Sequence, residues 1–477
     1  MYLYLIIACI WLIFVPVLGF SAPLFDDKTE YPVGPGPIDI CADDFDGDGY
    51  IDLALTNYTY SSSVDLSVLL NRGDGTFVEY EYYSTGRNYM RTMTAADLDN
   101  DGDIDLAMAR SGTTNNVITM LNDGGGVFQL SQTYDAGDNA LSICAYDVNN
   151  DNWTDLAVAY EGTNEVAVLL NNGDSTFTDT THYACGTWAT SITGGDFNKD
   201  SAVDLVVTNA ITAYDTGRLS LYINKGDGLF MDSVNYPSGW QPYSVIAGDF
   251  DDDDNLDLAV ADGDYDGCVL VLMGSDSAVF QDPVYYDVGH SARDVCTADL
   301  DNNGSLDLIA GVAADSTIVV LLNNGDGTFT QEGVYQIGSY VYSVCCADFD
   351  HDGDIDIAAG GHTHNEAVLL FNQTDPQTDV TEDSDRNIPS DIFDLYQNHP
   401  NPFNPITEIK ISLPTASKVR IDIYNILGQK IETLVDTHLR AGIHSYKWNA
   451  LEYPSGIYFT RLKAGSFVAA KKMILLK

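Results

Sequence analysis

One acidic nonapeptide recurs through most of the chain, beginning at Asp44, Asp97, Asp147, Asp196, Asp249, Asp299 and Asp348, at steps of 53, 50, 49, 53, 50 and 49 residues. A fixed period of about 50 residues marks a supersecondary unit that buries its apolar face only against copies of itself. Each nonapeptide is preceded by a short apolar run, as in Ile143, Cys144 and Ala145, and followed by another, as in Leu258, Ala259 and Val260. Run, acidic loop and run make a hairpin. A third run ends in a glycine-rich turn, clearest at 69–77 and 321–329, where Gly-Asp-Gly supplies the positive φ of a tight turn and Phe77 or Phe329 opens a fourth strand. Four short strands per unit, with no amphipathic helix between them, predict an all-β fold of radially arranged sheets: a seven-bladed β-propeller.

The ends of the array carry the same logic. Phe77, Phe128, Phe177, Phe230, Phe280 and Phe329 precede the next acidic loop by 19 or 20 residues, and Phe25 stands 19 before Asp44. The last unit stops at Leu370, Phe371 and Asn372 without a turn or fourth strand. An open ring would expose a sheet edge, so the N-terminal segment is expected to supply the outer strand of the seventh blade.

Within the nonapeptides the first residue is Asp in all seven copies, and so is the ninth: Asp52, Asp105, Asp155, Asp204, Asp257, Asp307 and Asp356. The third is Asp46, Asp99, Asn149, Asn198, Asp251, Asp301 and Asp350; the fifth is Asp48, Asp101, Asp151, Asp200, Asp253, Asn303 and Asp352. Carboxylates packed this densely repel one another unless a cation, protonation or solvation relieves them. The spacing favours the cation, because alternate residues of a curled loop turn their oxygens toward one point. A turn-permissive sixth residue, such as Gly49, Gly102, Gly304 or Gly353, lets the chain reverse. The seventh, Tyr50, Asp103, Trp153, Ala202, Asn255, Ser305 or Asp354, offers its backbone carbonyl. So many hard oxygens suit Ca²⁺ better than Mg²⁺, and up to seven structural calcium ions are expected.

These units resemble the FG-GAP or VCBS repeats of integrin α-subunit propellers and of many bacterial secreted proteins, in which an Asp-x-Asp-x-Asp-Gly-x-x-Asp loop holds calcium. The resemblance covers residues 23–373 and implies a calcium-binding propeller. Ser201 and Asp254 depart from the sixth-position glycine, and Asn149, Asn198 and Asn303 lower the ligand charge, so the third, fourth and sixth loops are expected to bind calcium more weakly.

The chain carries 71 acidic against 21 basic residues, a formal charge of −50, which excludes nucleic acid as a natural partner. The acidity is local, since residues 390–477 hold 11 Lys and Arg against 7 Asp and Glu. Residues 1–21 read as a secretory signal peptide, with a membrane anchor as the alternative; no later run is apolar enough to span a membrane. The propeller is assigned to 22–373, an acidic linker to 374–390 and a second domain to 391–477. Alternating runs at 408–413, 419–424, 445–449, 456–463 and 467–476 predict that this domain is a small Ig-like β-sandwich. It resembles the type A sorting domain of type IX secretion substrates through its Tyr396 to Pro405 opening, the Tyr424 to Gln429 turn, Ser455 to Tyr458 and the basic Lys471 to Lys477 terminus. That resemblance implies the type IX machinery as a partner and export to the outer surface or medium of a Gram-negative bacterium. The cysteines after residue 21 are odd in number, and Cys41, Cys144, Cys296 and Cys345 share one repeat position, so packed free thiols are expected.

Loops entering the inner strands lie at the opposite end from the acidic loops, because a strand of about five residues separates them. They carry Arg87, Tyr89, Arg91, Trp188, Trp240, Tyr243, His290, Arg293, Tyr340 and Tyr342, side chains suited to stacking on sugars or docking a protein loop and equally to packing between blades. Hydrolase, zincin and phosphate-loop signatures are missing from the sequence. The reading is a secreted or surface-displayed adhesion module for an extracellular glycan or protein, with an extracellular polysaccharide lyase or hydrolase as the alternative.

Overall fold

A computed structural model describes residues 24–26, 28–58, 64–78, 81–86, 89–114, 116–210, 217–264, 266–374, 394–395, 406–414, 417–426, 429–439, 442–451, 453–464 and 467–475. The proposed signal peptide, Arg87, most of the linker and the Tyr396 to Pro405 motif fall outside them. Two compact units emerge, residues 1–378 and 379–477. No helix among the described residues is long and apolar enough to cross a membrane.

In the first unit the described residues form seven four-stranded antiparallel sheets. The first sheet runs Pro37–Asp43, Asp52–Asn57, Leu66–Leu69 and Glu81–Tyr83 from inside to outside. The innermost strands of the next six are Met90–Ala96, Ala140–Tyr146, Ala189–Gly195, Pro242–Gly248, Ala292–Ala298 and Val341–Ala347. Each packs against the innermost strand of the blade before and after it, and Val341–Ala347 returns to Pro37–Asp43, so the array closes into a ring. The second strands, such as Asp52–Asn57 and Asp257–Asp262, are buried along their whole length because sheets cover both faces. Among the described residues the outermost strand of the seventh blade is Thr29–Pro32, which pairs with Glu366–Leu370 and is extended by a Phe25 to Asn372 bridge.

Two devices repeat around the ring. The phenylalanine opening each outer strand is met edge-on by a tyrosine from the preceding blade: Tyr83 on Phe128, Tyr134 on Phe177, Tyr183 on Phe230, Tyr236 on Phe280 and Tyr286 on Phe329, with Tyr335 on Phe25 and Tyr31 on Phe77 carrying the pattern through the closure. Edge-to-face geometry places positive ring edges on negative ring faces and adds to the burial term. The second device is an asparagine at the end of the third strand. Asn122 Nδ2 donates to Phe45 O of the preceding blade at 2.7 Å and to Ile104 O of its own at 3.0 Å, while its Oδ1 accepts from Gly124 N. Asn71, Asn171, Asn224, Asn323 and Asn372 repeat the reach to the previous blade, Asn71 to Phe349 O across the closure. The fifth blade has Gly274 there instead.

The second unit contains a three-stranded sheet, Asp394–Leu395, Ile406–Leu413 and Gly442–Asn449, and a four-stranded sheet ordered Lys430–Leu439, Ser417–Asn425, Gly456–Ala464 and Phe467–Leu475. Residues of both sheets share one core around the fully buried Trp448, giving the sandwich. Trp448 Nε1 and Tyr453 OH both donate to Glu432 Oε2. The edge strand Lys430–Leu439 was not among the runs expected from sequence: it is only partly buried and its pairing slips at Ile421/Asp422 and Ile423/Tyr424, so no clean alternation marks it.

Candidate metal centres and the opposite mouth

Each acidic loop follows an innermost strand and is curled by its first aspartate, which in six loops accepts the backbone N–H groups of both the fifth and sixth residues and in the second, at Asp97, that of the sixth alone. Asp44 Oδ1 takes Asp48 N at 3.1 Å and Oδ2 takes Gly49 N at 2.9 Å; Asp147, Asp196, Asp249, Asp299 and Asp348 do the same. The sixth residue takes positive φ in every described copy, including the non-glycines Asn152, Ser201 and Asp254. The departures from glycine therefore keep the left-handed turn, at φ 65–70° against 93–101° for the glycines.

Among the described residues five loops bring three carboxylate oxygens within 4.8 Å of one another: Asp44, Asp46 and Asp48; Asp97, Asp99 and Asp101; Asp249, Asp251 and Asp257; Asp299, Asp301 and Asp307; and Asp348, Asp350 and Asp356. Asp97 Oδ1 and Asp251 Oδ1 are buried with no hydrogen-bond partner, as is Asn255 Oδ1. Burial with like charges beside it raises the pKa of Asp46, Asp99, Asp251 and Asp350. Clustered, partly desolvated oxygens with orphaned lone pairs are the donor chemistry a hard cation requires.

The third and fourth loops are built differently. Asn149 Nδ2 donates to Asp151 Oδ2 at 2.9 Å, and Asn198 Nδ2 to Asp200 Oδ2 at 3.0 Å, so an amide hydrogen stands where the other loops place a third carboxylate. The sixth loop keeps a three-carboxylate cluster because its asparagine, Asn303, falls at the fifth position.

The ninth aspartate has a structural task that spacing alone does not reveal. Asp52 Oδ2 accepts Phe45 N at 2.9 Å and Oδ1 accepts Asn71 N at 2.7 Å, tying the loop to the third strand, and the same pair of bonds recurs in all seven copies. Burial, reinforced by the neighbouring carboxylates, pushes Asp52 and Asp356 up to about 7 and Asp105, Asp155, Asp204, Asp257 and Asp307 up to about 6.

At the other end of the inner strands lies a cavity of about 860 Å³ lined by all seven blades. Its deeper wall is one register of polar residues: Asp39, Thr92, Ser142, Ser191, Ser244, Asp294 and Ser343. They bond from blade to blade: Asp39 Oδ2 accepts Met93 N at 2.7 Å, Ser142 Oγ accepts Ile192 N at 3.2 Å, Ser191 Oγ accepts Val245 N at 3.3 Å and Asp294 Oδ2 accepts Val344 N at 2.9 Å. Burial and the charge of Asp294 raise Asp39 to about 7. One residue nearer the opening stand Arg91, Tyr243, Arg293 and Tyr342, with Trp188 and Glu161 also on the wall.

Five of the ten residues expected at this end thus meet at one cavity: Arg91, Trp188, Tyr243, Arg293 and Tyr342. Tyr89 instead packs on Tyr58, and His290 bonds to Asp315. Trp240 and Tyr340 are exposed but are not part of the cavity wall. The hydroxyl and carboxyl register beneath the arginines is not among the residues expected from sequence, although its place five residues before each nonapeptide marks it.

Fold and loops define a β-propeller whose inner hairpins carry clustered carboxylates. The FG-GAP-like repeat family matches residues 44–108, 97–158, 147–207, 208–260 and 299–359, and the secretion system C-terminal sorting domain matches 397–476. The chain belongs to the FG-GAP-like repeat family, and its sorting domain directs it through type IX secretion to the cell surface or the extracellular space. No curated protein matches it. Among solved structures, BBS1N from a complex with ARL6DN aligns with a TM-score of 0.53 at 11% identity, over 75% of this chain and 99% of that one, a likeness of fold alone. PorZ, a surface component of the type IX secretion system of Porphyromonas gingivalis, aligns at 12% identity and TM-score 0.48 over 93% of this chain and 60% of its own. The periplasmic gluconolactonase PpgL of Pseudomonas aeruginosa gives 12% and 0.49, over 83% of this chain and 98% of its own.

Proposed function

We propose that this exported protein is a calcium-stabilised propeller that presents the mouth of its axial cavity to an extracellular glycan or protein, as an adhesion module. Residues 1–21 act as the signal peptide, 22–373 as the binding domain, 374–390 as a tether and 391–477 as the sorting domain. Calcium would be held by the first, third, fifth and ninth side chains and the seventh carbonyl of the nonapeptides. Bound there, it supplies the positive charge that clustered carboxylates need. The third and fourth loops, closed by Asn149 and Asn198, would hold it most weakly.

The observation that carries the reading is the division of labour along the inner strands. Carboxylate triplets crowd the loops at one end, while at the other a ligand-sized cavity brings guanidinium and aromatic groups together above a polar register that includes Asp39 and Asp294, with Glu161 on the wall. The test is retention of purified protein on glycan arrays and immobilised extracellular proteins, with calcium and with EDTA. Retention that falls when Trp188, Trp240 and Tyr340 are replaced together by alanine supports the reading, and unchanged retention rejects this face. Turnover of a bound polysaccharide would replace the adhesion reading with that of an extracellular lyase or hydrolase.

A further inference from the structure

We propose that the axial mouth recognises the carboxylate of an acidic saccharide, a uronate, through Arg91 and Arg293, with Trp188 as the stacking surface; this rests on the ligand-face reading above. In a chain with 71 acidic and 21 basic residues, an arginine has abundant partners. Yet among the described residues neither Arg91 nor Arg293 forms an ion pair. Both are instead held in place by uncharged groups. Arg91 Nε donates to Ser111 Oγ at 2.7 Å and the guanidinium lies 4.7 Å from the Tyr58 ring centre. Arg293 Nε donates to Ser291 Oγ at 3.1 Å, with the guanidinium 3.8 Å from the Tyr243 ring centre and 5.7 Å from that of Tyr342. Fixing each guanidinium through Nε and a ring face leaves the terminal nitrogens, the fork that matches a carboxylate, for a ligand.

Trp188 supplies a second, separate observation. It occupies the corner that turns into the inner strand, with φ +56°, a left-handed corner shared with Gly36 at +66°, Tyr89 at +67°, Asn139 at +63° and Ser291 at +65° in the first, second, third and sixth blades. Left-handed backbone suits glycine and asparagine, and a bulky residue held there is strained. Of the two bulky residues at this corner, Tyr89 packs on Tyr58, whereas the Trp188 indole is 48% exposed on the cavity wall, so burial does not offset its backbone strain. An exposed aromatic face beside a wall that carries hydroxyls and the carboxyls of Asp39, Asp294 and Glu161 as well as the two arginines favours a sugar ring, one face apolar and the edge rich in hydroxyl donors, over an extended acidic peptide with its denser negative charge.

The probes are trimers of galacturonate, glucuronate and mannuronate, their methyl esters and neutral galactose trimers, titrated calorimetrically into the calcium-loaded full chain. Binding of at least one free acid, weakened about tenfold or more both by esterification and by R91Q/R293Q, is the expected result. W188G should weaken binding without lowering the melting temperature, which separates a ligand contact from a packing role. Equal binding of acid and ester, undiminished binding by R91Q/R293Q, or capture of neutral sugars only would overturn the uronate assignment and leave the ligand face standing. Failure to retain any glycan or protein would overturn both.

A different observation assigns a covalent link. Cys296 Sγ and Cys346 Sγ lie 2.8 Å apart on the inner strands of the sixth and seventh blades, and the chain is exported to compartments where disulfides persist. Both are free thiols in this structure, in line with the sequence expectation; we infer that they become a disulfide in the exported protein. Each thiol loses a proton and an electron as the S–S bond forms, and a dithiol-disulfide oxidoreductase of the cell envelope takes up the electrons, its own disulfide becoming two thiols. The bond would clamp the blade that is assembled from both ends of the propeller. Peptide mapping of the exported protein, denatured and alkylated without reduction, should yield Cys296 and Cys346 in one linked species. Full alkylation of both under those conditions would overturn the assignment.

Discussion

The two ends of the inner strands obey opposite rules. At the acidic end the seven units agree almost residue for residue: the first aspartate curls the loop, the ninth accepts two backbone N–H groups, and six asparagines reach into the preceding blade. At the mouth, the register containing Arg91 and Arg293 reads Ile38, Leu141, Thr190, Tyr243 and Tyr342 in the other blades. Where the repeat holds, it is holding the ring. Where it breaks, the scaffold's contacts differ from blade to blade, as with Thr190 Oγ1, which donates to Pro242 O, and the remaining side chains are open to recognition.

The contrast can be broken most forcefully by stripping the acidic end of metal. EDTA should lower the melting temperature at pH 7.5 by about 10 °C or more, given roughly 4 kcal/mol per saturated site and several sites acting together. The pH sign follows from the ninth aspartates, which sit at about 6 to 7 when folded against an ordinary value of 3.8. The metal-free folded state therefore holds more protons than the unfolded chain between about pH 4 and 7, and its stability falls as pH rises through that window. Calcium should accordingly raise the melting temperature more at pH 7.5 than at pH 5. Equal melting with and without EDTA at both pH values would reduce these loops to solvated turns.

Next in size, Phe25→Ala and Phe128→Ala should each cost about 3–5 kcal/mol in denaturant unfolding, because each removes a buried ring met edge-on by a tyrosine. Their equality tests closure; a much smaller loss for Phe25→Ala would mean that the seventh blade is not locked like the others. Asn122→Ala should cost about 2–4 kcal/mol by stranding buried carbonyls in two blades. The converse change, Gly274→Asn, should destabilise rather than complete the set, since a Cβ there would stand 2.1 Å from Leu256 O. The smallest effect belongs to the mouth: Trp188→Gly should stay within about 1 kcal/mol of wild type, as relief of left-handed strain offsets the added chain entropy.

Elements that lie within one unit were legible from sequence. The hairpins, the glycine turns and the missing fourth strand of the last unit need only local spacing, and Phe25 placed the closing strand because its register matched six others. The partners across blades were not. Tyr83 and Phe128 are 45 residues apart, and Asn122 and Phe45 are 77, so nothing local distinguishes these from any other tyrosine or asparagine. The ninth aspartate was read as a ligand, while its two backbone bonds show only once the third strand lies beside the loop. Trp240 and Tyr340 looked equivalent to Trp188, yet the corner at Trp188 has the positive φ that theirs lack.

What sequence alone determined is periodic: the number of units, the carboxylate loops, the closing strand and the sorting domain, because repetition and short motifs survive without knowledge of neighbours. What only the tertiary structure decided is convergent. Spacing places Arg91, Trp188 and Arg293 at one end of the inner strands, but that they line one cavity while Trp240 and Tyr340 do not, and that Cys296 meets Cys346, depends on the curvature that bends seven sheets around an axis.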